Sequence, residues 1–375
     1  MSKVKLCDIC DFQGGSQPPK SQWITLQQDG YIRMLQIRDF TQPGKVKAEY
    51  VKLTNTTKWC LKDDILIARY GASLGKILTG LSGAYNVAMT KAVPNEAVIS
   101  KKFLYYFLCS DTFQNCILNV GVRAAQAGFN KEDLSNIEIY CPDLSVQNKI
   151  CKILELVDIL INKSKLQLDE LDLLVKSRFI EMFHNKGYPI KDIESISFNK
   201  GEYGAQSASS EYDSNRPRYV RITDINDDGT LNDDFVSSSN LKDDDTYRLK
   251  YGDFLFARMG ATVGKTYAFK SGNLIFAGYL IKFALKTDIV LPEYLFAYTK
   301  TNEYLSWVKN NQSGAAQPGI NAKKYGSLRL PIPPIGLQNQ FADFVAQVDK
   351  SKLAIQQSLD ELETLKKSLM QQYFG

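Results

Sequence analysis

The fold is decided by residues 137–183, IEIYCPDLSVQNKICKILELVDILINKSKLQLDELDLLVKSRFIEMF. A second copy of this stretch ends the chain. The second copy is residues 328–374, LRLPIPPIGLQNQFADFVAQVDKSKLAIQQSLDELETLKKSLMQQYF, and it aligns with the first without a gap. A Gln-Asn pair and an LDEL segment fall at the same place in each copy. The chain therefore contains an internal duplication.

Each copy carries apolar residues at alternating steps of four and three, beginning at Ile150 and at Phe341. This spacing predicts two long helices, and we expect them to pair within the chain as an antiparallel coiled coil. At about 1.5 Å per residue the helix from Ser145 to Phe183 measures about 58 Å, so the pair would be a ruler. Packing of each helix on its own module, or pairing between chains, stays open. The seam has four polar exceptions, which either set the register or contact partners: Ser164, Arg178, Lys352 and Lys366.

The similarity extends upstream of both helices. DILIARYGASLGK at 64–76 matches DFLFARMGATVGK at 253–265, and GVRAAQAGFN at 121–130 matches QSGAAQPGIN at 312–321. A weaker pair is MLQIRDF, which begins at Met34, and YVRITDI, which begins at Tyr219. The order of segments is therefore module, helix, module, helix, with these predicted boundaries: 1–143, 144–184, 185–334 and 335–375.

Both modules combine short β-type runs with helical segments, which predicts an α+β class with more strands than helices. We expect one helix per module, over about 101–119 in the first and 292–310 in the second. The whole chain is then two α/β modules separated by two long helices in an antiparallel coiled coil, a repeat with pseudo-twofold symmetry.

Composition limits the possible partners and locations. The net charge is +5, which permits nucleic-acid binding without requiring it. Apolar runs are too short to span a bilayer, so no membrane association and a cytoplasmic location are expected. The seven cysteines lie in the first half of the chain, and Cys7 and Cys10 form a CxxC pair. With the single histidine far away at position 184, free thiols are expected rather than a metal site.

Catalytic motifs are missing from the sequence. Gly260 and Gly264 precede Lys265 like a phosphate-binding loop, but that loop needs four residues between its glycines and here there are three. Neither a methyl-donor motif nor a nuclease motif set is present, and one histidine leaves little room for His-based acid–base chemistry. No cofactor and no catalytic residue is expected.

Three groups of residues are candidates for DNA contact. The glycine turns present Arg and Lys to backbone phosphates, or are ordinary hairpin turns. The Gln and Asn of the second motif either contact adenine edges or cap the following structure. A basic strand face either contacts nucleic acid or is solvated. The expected DNA-binding residues are Arg33, Arg38, Arg69, Lys76, Arg123, Gln126, Asn130, Arg218, Arg221, Arg258, Lys265, Gln317 and Asn321.

Taken together, these features resemble the specificity subunit of type I restriction–modification systems. They are the duplicated organisation, the AR-x-GA-x-x-GK turn, the AAQ-x-G-x-N loop and the strand that ends in PIPPIGLQNQF. The resemblance covers the whole chain, and its last motif is degenerate in the first copy, CPDLSVQNKI.

The resemblance implies a non-catalytic protein that gives DNA specificity to adenine methylation and to cleavage of unmodified DNA. Each module would recognise one half of a bipartite, asymmetric site in double-stranded DNA. The helices would fix the gap and dock two methyltransferase subunits, with restriction/translocase subunits joining the full complex. Two other classes stay open from sequence: a coiled-coil scaffold that does not bind DNA, and a small nuclease or methyltransferase.

Overall fold

The structure is a computed structural model that describes residues 3–121, 128–241, 245–313 and 318–375. The chain forms two compact units. The first unit is Met1–Lys165 with Gln357–Gly375, and the second unit is Leu166–Gln356. This grouping follows packing, whereas the four predicted segments follow chain order, and their boundaries stay a prediction.

The first unit holds ten strands, five short helices and parts of two long helices, of which the second is given below with the second unit. In chain order they are β1 (Lys3–Lys5), α1 (Leu6–Ile9), β2 (Cys10–Gly14), β3 (Tyr31–Leu35), α2 (Ile37–Thr41), β4 (Tyr50–Lys52), β5 (Trp59–Cys60), β6 (Ile65–Ala68), β7 (Ile77–Leu78), β8 (Gly83–Tyr85), β9 (Met89–Pro94), α3 (Lys101–Cys109), α4 (Asp111–Gly121), α5 (Lys131–Leu134), β10 (Glu138–Tyr140) and α6 (Leu144–Phe183).

Two four-stranded sheets organise the first unit. One has the order β2-β9-β6-β7 and is antiparallel throughout. The other has the order β4-β3-β8-β5, in which β3 and β8 run parallel. All four residues of β6 are buried, since they lie between neighbouring strands and under helix α3. Strand β1 pairs with β10 and so joins the start of the module to the strand before α6.

The second unit repeats this plan. Its elements are β11 (Ile190–Asp192), β12 (Glu202–Tyr203), β13 (Ser209–Ser210), β14 (Arg218–Val220), β15 (Ser238–Ser239), β16 (Asp253–Ala257), β17 (Thr266–Ala268), β18 (Leu274–Phe276), β19 (Leu280–Ala284), α7 (Pro292–Tyr298), α8 (Asn302–Asn311), α9 (Ala322–Gly326), β20 (Arg329–Pro331) and α10 (Ile335–Phe374).

The sheets of the two units correspond. The order β12-β19-β16-β17 matches β2-β9-β6-β7, the parallel pair β14 and β18 matches β3 and β8, and β11 pairs with β20 as β1 does with β10. Buried side chains of β16 and β19, including Phe254, Phe256 and Phe283, form the core with helix α7. The expected α+β class and the internal repeat are confirmed.

The expectation of one helix per module is wrong, because each predicted helix is broken into two. Ser110 separates α3 from α4, and its hydroxyl accepts from the Phe113 N–H at 3.4 Å. Thr301 separates α7 from α8 and accepts from the Tyr304 N–H at 3.3 Å. Both residues satisfy the free N–H groups of a new helix start, a signal readable in the sequence as Ser-Asp and Thr-Asn.

The long helices pair antiparallel in both units. In the first unit, Asp158 of α6 pairs with Lys366 of α10 at 2.6 Å, and Lys165 pairs with Glu363 at 2.8 Å, so the chain numbers run in opposite directions. The first-unit seam residues Ile150, Leu154, Val157, Ile161 and Ser164 are buried.

In the second unit, Phe179 and Phe183 of α6 each stack edge-on against Phe341 of α10, with ring centroids 5.5 Å apart. Lys352 forms an ion pair with Asp172, and the Arg178 guanidinium lies 6.0 Å from the Phe344 ring centre. The predicted seam is therefore confirmed. Three of its polar exceptions make contacts within the chain, and the fourth, Ser164, is buried.

The Gln of each Gln-Asn pair anchors its long helix. Gln147 and Gln338 are fully buried. Gln147 accepts from the Ser100 N–H at 2.8 Å and donates to the Val98 and Pro142 carbonyls, and Gln338 makes the equivalent three bonds. Each amide thus satisfies backbone groups that the turn into the helix leaves without partners.

The cysteines are free thiols. Cys10 is buried and Cys7 is half-buried, and burial raises the pKa of Cys10 to about 12. A thiol with so high a pKa is a poor nucleophile at neutral pH.

Candidate nucleic-acid interface

The two sequence motifs, treated separately above, meet in space in the first unit. Tyr70, in the glycine turn, forms an antiparallel bridge with Gly128 of the second motif. The Arg69 Nε donates to the Phe129 carbonyl at 3.3 Å. A side chain on Gly128 would lie 2.5 Å from the Tyr70 ring, so glycine is needed for this close approach.

The second unit repeats the junction. Met259 bridges to Gly319, the Ile320 N–H donates to the Arg258 carbonyl at 2.9 Å, and the Gly260 N–H donates to the Pro318 carbonyl at 3.0 Å. Residues far apart in sequence therefore form one composite site in each unit, which we call the paired-motif site.

The glycine turn joins two strands as a hairpin in both units. In the first, it connects β6 and β7, the Ala68 N–H donates to the Lys76 carbonyl at 2.9 Å, and the Gly75 N–H donates to the Ala68 carbonyl at 2.9 Å. Gly264, the counterpart of Gly75, has φ +89°, and a side chain there would meet Val308 at 2.8 Å. Packing accounts for this glycine, and phosphate contact by the turn stays a prediction.

Each paired-motif site presents an arginine stacked on an exposed tyrosine. The Arg69 guanidinium lies 5.1 Å from the ring centre of Tyr70, and that of Arg258 lies 4.7 Å from Tyr203. The Arg258 Nε is buried and has no hydrogen-bond partner among the described residues. Such a planar cation beside an aromatic face suits both phosphate and base-edge contacts.

The two lysines of the turns have different surroundings. Lys76 is exposed. Lys265 is half-buried, lies 2.8 Å from Asp227, and donates to the Ile225 carbonyl at 3.3 Å. The Lys265 ammonium also holds the pKa of the Asp227 carboxyl below its ordinary value.

The asparagines of the second motif cap short helices. Asn130 accepts from the Glu132 and Asp133 N–H groups at the start of α5, and Asn321 accepts from the Lys324 N–H at the start of α9. This geometry matches the capping alternative, and contact with adenine stays a prediction. Arg123, Gln126 and Gln317 lie outside the described residues.

The basic strand face is tied to its own units. Arg33 pairs with Asp39 at 2.7 Å, Arg221 pairs with Asp224 at 2.9 Å, and Arg38 pairs with Glu49 at 3.2 Å. Arg218 pairs with Asp233 at 2.5 Å and also donates to the Asn232 carbonyl. These ion pairs tie the four arginines to neighbouring loops of their own units, and DNA contact by them stays a prediction.

Sequence reasoning missed the two buried aspartates. Asp39 and Asp224 are nearly inaccessible, and each accepts the N–H three residues earlier, from Gln36 and Arg221. The signal was the aspartate shared by MLQIRDF and YVRITDI, which marks the start of a loop in each unit.

Within the four described ranges, no group of three or more His, Cys, Asp or Glu side chains is placed to hold a metal ion. Among the helices that the structure describes, none is long and apolar enough to cross a membrane.

The fold and the duplicated site define a class of protein: two-module α+β chains with paired long helices. The family model of the type I restriction modification DNA specificity domain matches this chain twice, over residues 1–171 and 185–364. The chain therefore belongs to the family of type I restriction–modification specificity subunits, which are non-catalytic members of multisubunit systems.

Individual relatives agree with this membership. The chain is 23% identical to the type I restriction enzyme MjaVIII specificity subunit of Methanocaldococcus jannaschii, over 98% of this chain and 90% of that protein. It is 21% identical to the EcoDI specificity subunit of Escherichia coli, over 83% and 77% of the respective chains.

Solved structures share the fold. A chain from a study of complex assembly and conformational transition in the type I R-M system superposes with a TM-score of 0.62 at 17% identity, covering 100% of this chain and 97% of that one. The type I S subunit from M. genitalium superposes with a TM-score of 0.59 at 15% identity, covering 100% and 96%.

Proposed function

We propose that the modules each recognise one half of a bipartite, asymmetric DNA site, and that the chain thereby directs adenine methylation and the cleavage of unmodified DNA. The observation that carries the proposal is the paired-motif site, built once in each unit from the same two motifs. The surroundings of the two sites differ, as Lys76 and Lys265 show. Two sites with a common frame and different contacts suit two different half-sites.

Within each site, we propose that Arg69 and Arg258 contact DNA directly. Their stacking partners, Tyr70 and Tyr203, are 42% and 41% exposed, so each half-buried arginine lies beside a partly exposed aromatic face. Arginine donors to phosphates fix position, and bidentate donors to guanine edges give specificity.

The long helices would fix the gap between half-sites and dock two methyltransferase subunits. Support comes from the outer surface of α6. In the first unit Ile153, Leu156 and Ile159 are 43%, 57% and 61% exposed. In the second unit Leu166, Leu173 and Ile180 are similarly exposed. Exposed apolar residues in such number suit a protein partner, and restriction/translocase subunits would join the same assembly.

The test is a methylome. The chain is co-expressed with the methyltransferase subunit encoded beside it, in a host without adenine methylation, and modified adenines are mapped by single-molecule sequencing. We expect methylation at one asymmetric, split motif. A chain with Arg69→Ala should lose or relax only one half of that motif, and Arg258→Ala only the other. An assembled complex that methylates no defined motif would contradict the proposal.

A further inference from the structure

The loop that follows each buried aspartate has the same local form in both units. Strand β3 or β14 leads to Asp39 or Asp224, and a glycine with positive φ follows five residues later. These glycines are Gly44, with φ +76°, and Gly229, with φ +81°. The two loops are therefore equivalent parts of the repeat.

The charge of this loop is reversed between the units. The first-unit loop contains Lys45 and Lys47, and the second-unit loop contains Asp227 and Asp228. All four side chains are exposed. Since exposure makes the charges available to a partner, this surface is basic in one unit and acidic in the other.

In the second unit, the acidic loop lies against the glycine turn. Asp227 holds the Lys265 ammonium at 2.8 Å, and the Lys300 ammonium donates to the Asp227 carbonyl at 2.7 Å. Phe296 fits against the loop at Gly229, where a side chain would lie 2.2 Å from the ring. The loop is thus fixed from two sides, and its Asp227 carboxylate is the anion that pairs with Lys265.

In the first unit the corresponding lysine, Lys76, pairs with no carboxylate of the residues that the structure describes. Its side chain is exposed and makes no ion pair or hydrogen bond within the described ranges. A phosphate that approaches Lys76 therefore meets an unpaired ammonium, whereas at Lys265 it meets an ion pair whose carboxylate repels it. The net attraction for a phosphate is therefore weaker at Lys265 than at Lys76.

We propose that the two modules hold the DNA backbone unequally. Lys76, together with Lys45 and Lys47, contacts phosphates at the half-site of the first module, and Asp227 keeps Lys265 from doing so at the other half-site. This inference rests on the proposed function. It changes the role of Lys265 from phosphate contact to an anchor of the acidic loop.

The test measures binding of the full-length chain to a fluorescently labelled DNA duplex by anisotropy, over a series of KCl concentrations. Each lost phosphate contact lowers the slope of log K against log salt by about 0.9. Lys76→Gln should weaken binding and lower the slope by about that amount, and Lys265→Gln should leave the slope unchanged. Asp227→Asn frees Lys265 and should steepen the slope by about the same amount.

Lys163→Gln is the matched control, because Lys163 is an exposed lysine on α6, outside both paired-motif sites. Circular dichroism confirms that each variant is folded. Equal losses for Lys76→Gln and Lys265→Gln, or no loss for Lys76→Gln, would overturn the inference and leave the proposed function intact. Wild-type protein that binds duplex without salt dependence, or not at all, would overturn both.

Discussion

Lys366 of α10 lies 2.6 Å from Asp158 of α6, nitrogen to oxygen, within the first unit. The Tyr106 hydroxyl donates to the other carboxylate oxygen of Asp158 at 3.0 Å. Lys366 occupies a seam position where an apolar residue is expected. A charged seam residue with one matching partner favours a single alignment of two helices.

Reversal of this charge should destabilise the helix pair. Lys366→Glu places two carboxylates together, and we expect the free energy of unfolding to fall by about 0.5–1 kcal/mol, a modest effect because both groups are partly solvated. Urea unfolding of the single variants and of Asp158→Lys with Lys366→Glu forms a double-mutant cycle, in which the double variant should recover part of the loss. Lys367→Glu, on the exposed side of α10, is the control. Equal effects at 366 and 367 would show that the pair has no role in alignment.

The buried amides should matter much more than the ion pair. Gln338→Ala leaves the Leu291 N–H and the Ile289 and Pro333 carbonyls without their partner. We expect a loss of about 2–4 kcal/mol, because each buried group left unsatisfied costs about 1–3 kcal/mol. Gln147→Ala should lose a similar amount of stability. Gln167→Ala, on the exposed surface of α6, is the control and should not lose stability to that extent. Thermal unfolding measures the difference, and a stable Gln338→Leu variant would contradict the explanation.

Asp64 and Asp253 occupy equivalent positions in the two units, and they should change the pH dependence of folding stability in opposite directions. Burial raises the pKa of Asp253, whose neighbour Lys282 is 4.0 Å away and closer to Glu202. Burial also acts to raise the pKa of Asp64, but the Leu61 N–H and two lysine ammonium groups outweigh it, so that this pKa lies below its ordinary value.

A raised carboxyl pKa means that folding stability falls as pH rises above the ordinary value, because the folded state holds its proton more tightly. A lowered pKa means that stability is lost as pH falls below the ordinary value. Asp253→Asn should therefore gain stability relative to wild type from pH 4 upwards, and Asp64→Asn should lose it over the same range. Urea unfolding at several pH values measures both, and differences of the same sign would be evidence against these pKa directions.

The outer surface of α6 should be needed for assembly and not for folding. Leu156→Ser with Ile159→Ser removes exposed apolar surface, so we expect unchanged thermal stability. Affinity for the methyltransferase subunit should fall at least about tenfold, since each buried side chain of this size contributes about 1.5–3 kcal/mol. Leu353→Ser, on α10, is a control for exposure alone. Undiminished co-purification would place the docking surface elsewhere.

The long helices and the duplication could be predicted almost completely, since they depend on a periodic pattern and on exact repetition. The break at Ser110 was missed because a polar residue inside an amphipathic segment is compatible with one helix or with two. The ion pairs of Arg33, Arg218 and Arg221 could not be predicted either. Whether an exposed-looking arginine faces solvent or a neighbouring carboxylate depends on loops whose course a single sequence does not specify.

The sequence by itself determined the family, the order of modules and helices, and the seam that pairs the helices, because local periodicity and repetition encode all three. Only the tertiary structure decided that the two motifs form one site, that Asn130 and Asn321 cap helices, and that Asp227 pairs with Lys265. These relationships join residues that are distant in the chain. Their contacts follow from how strands pair and loops fold back, and no local pattern records that.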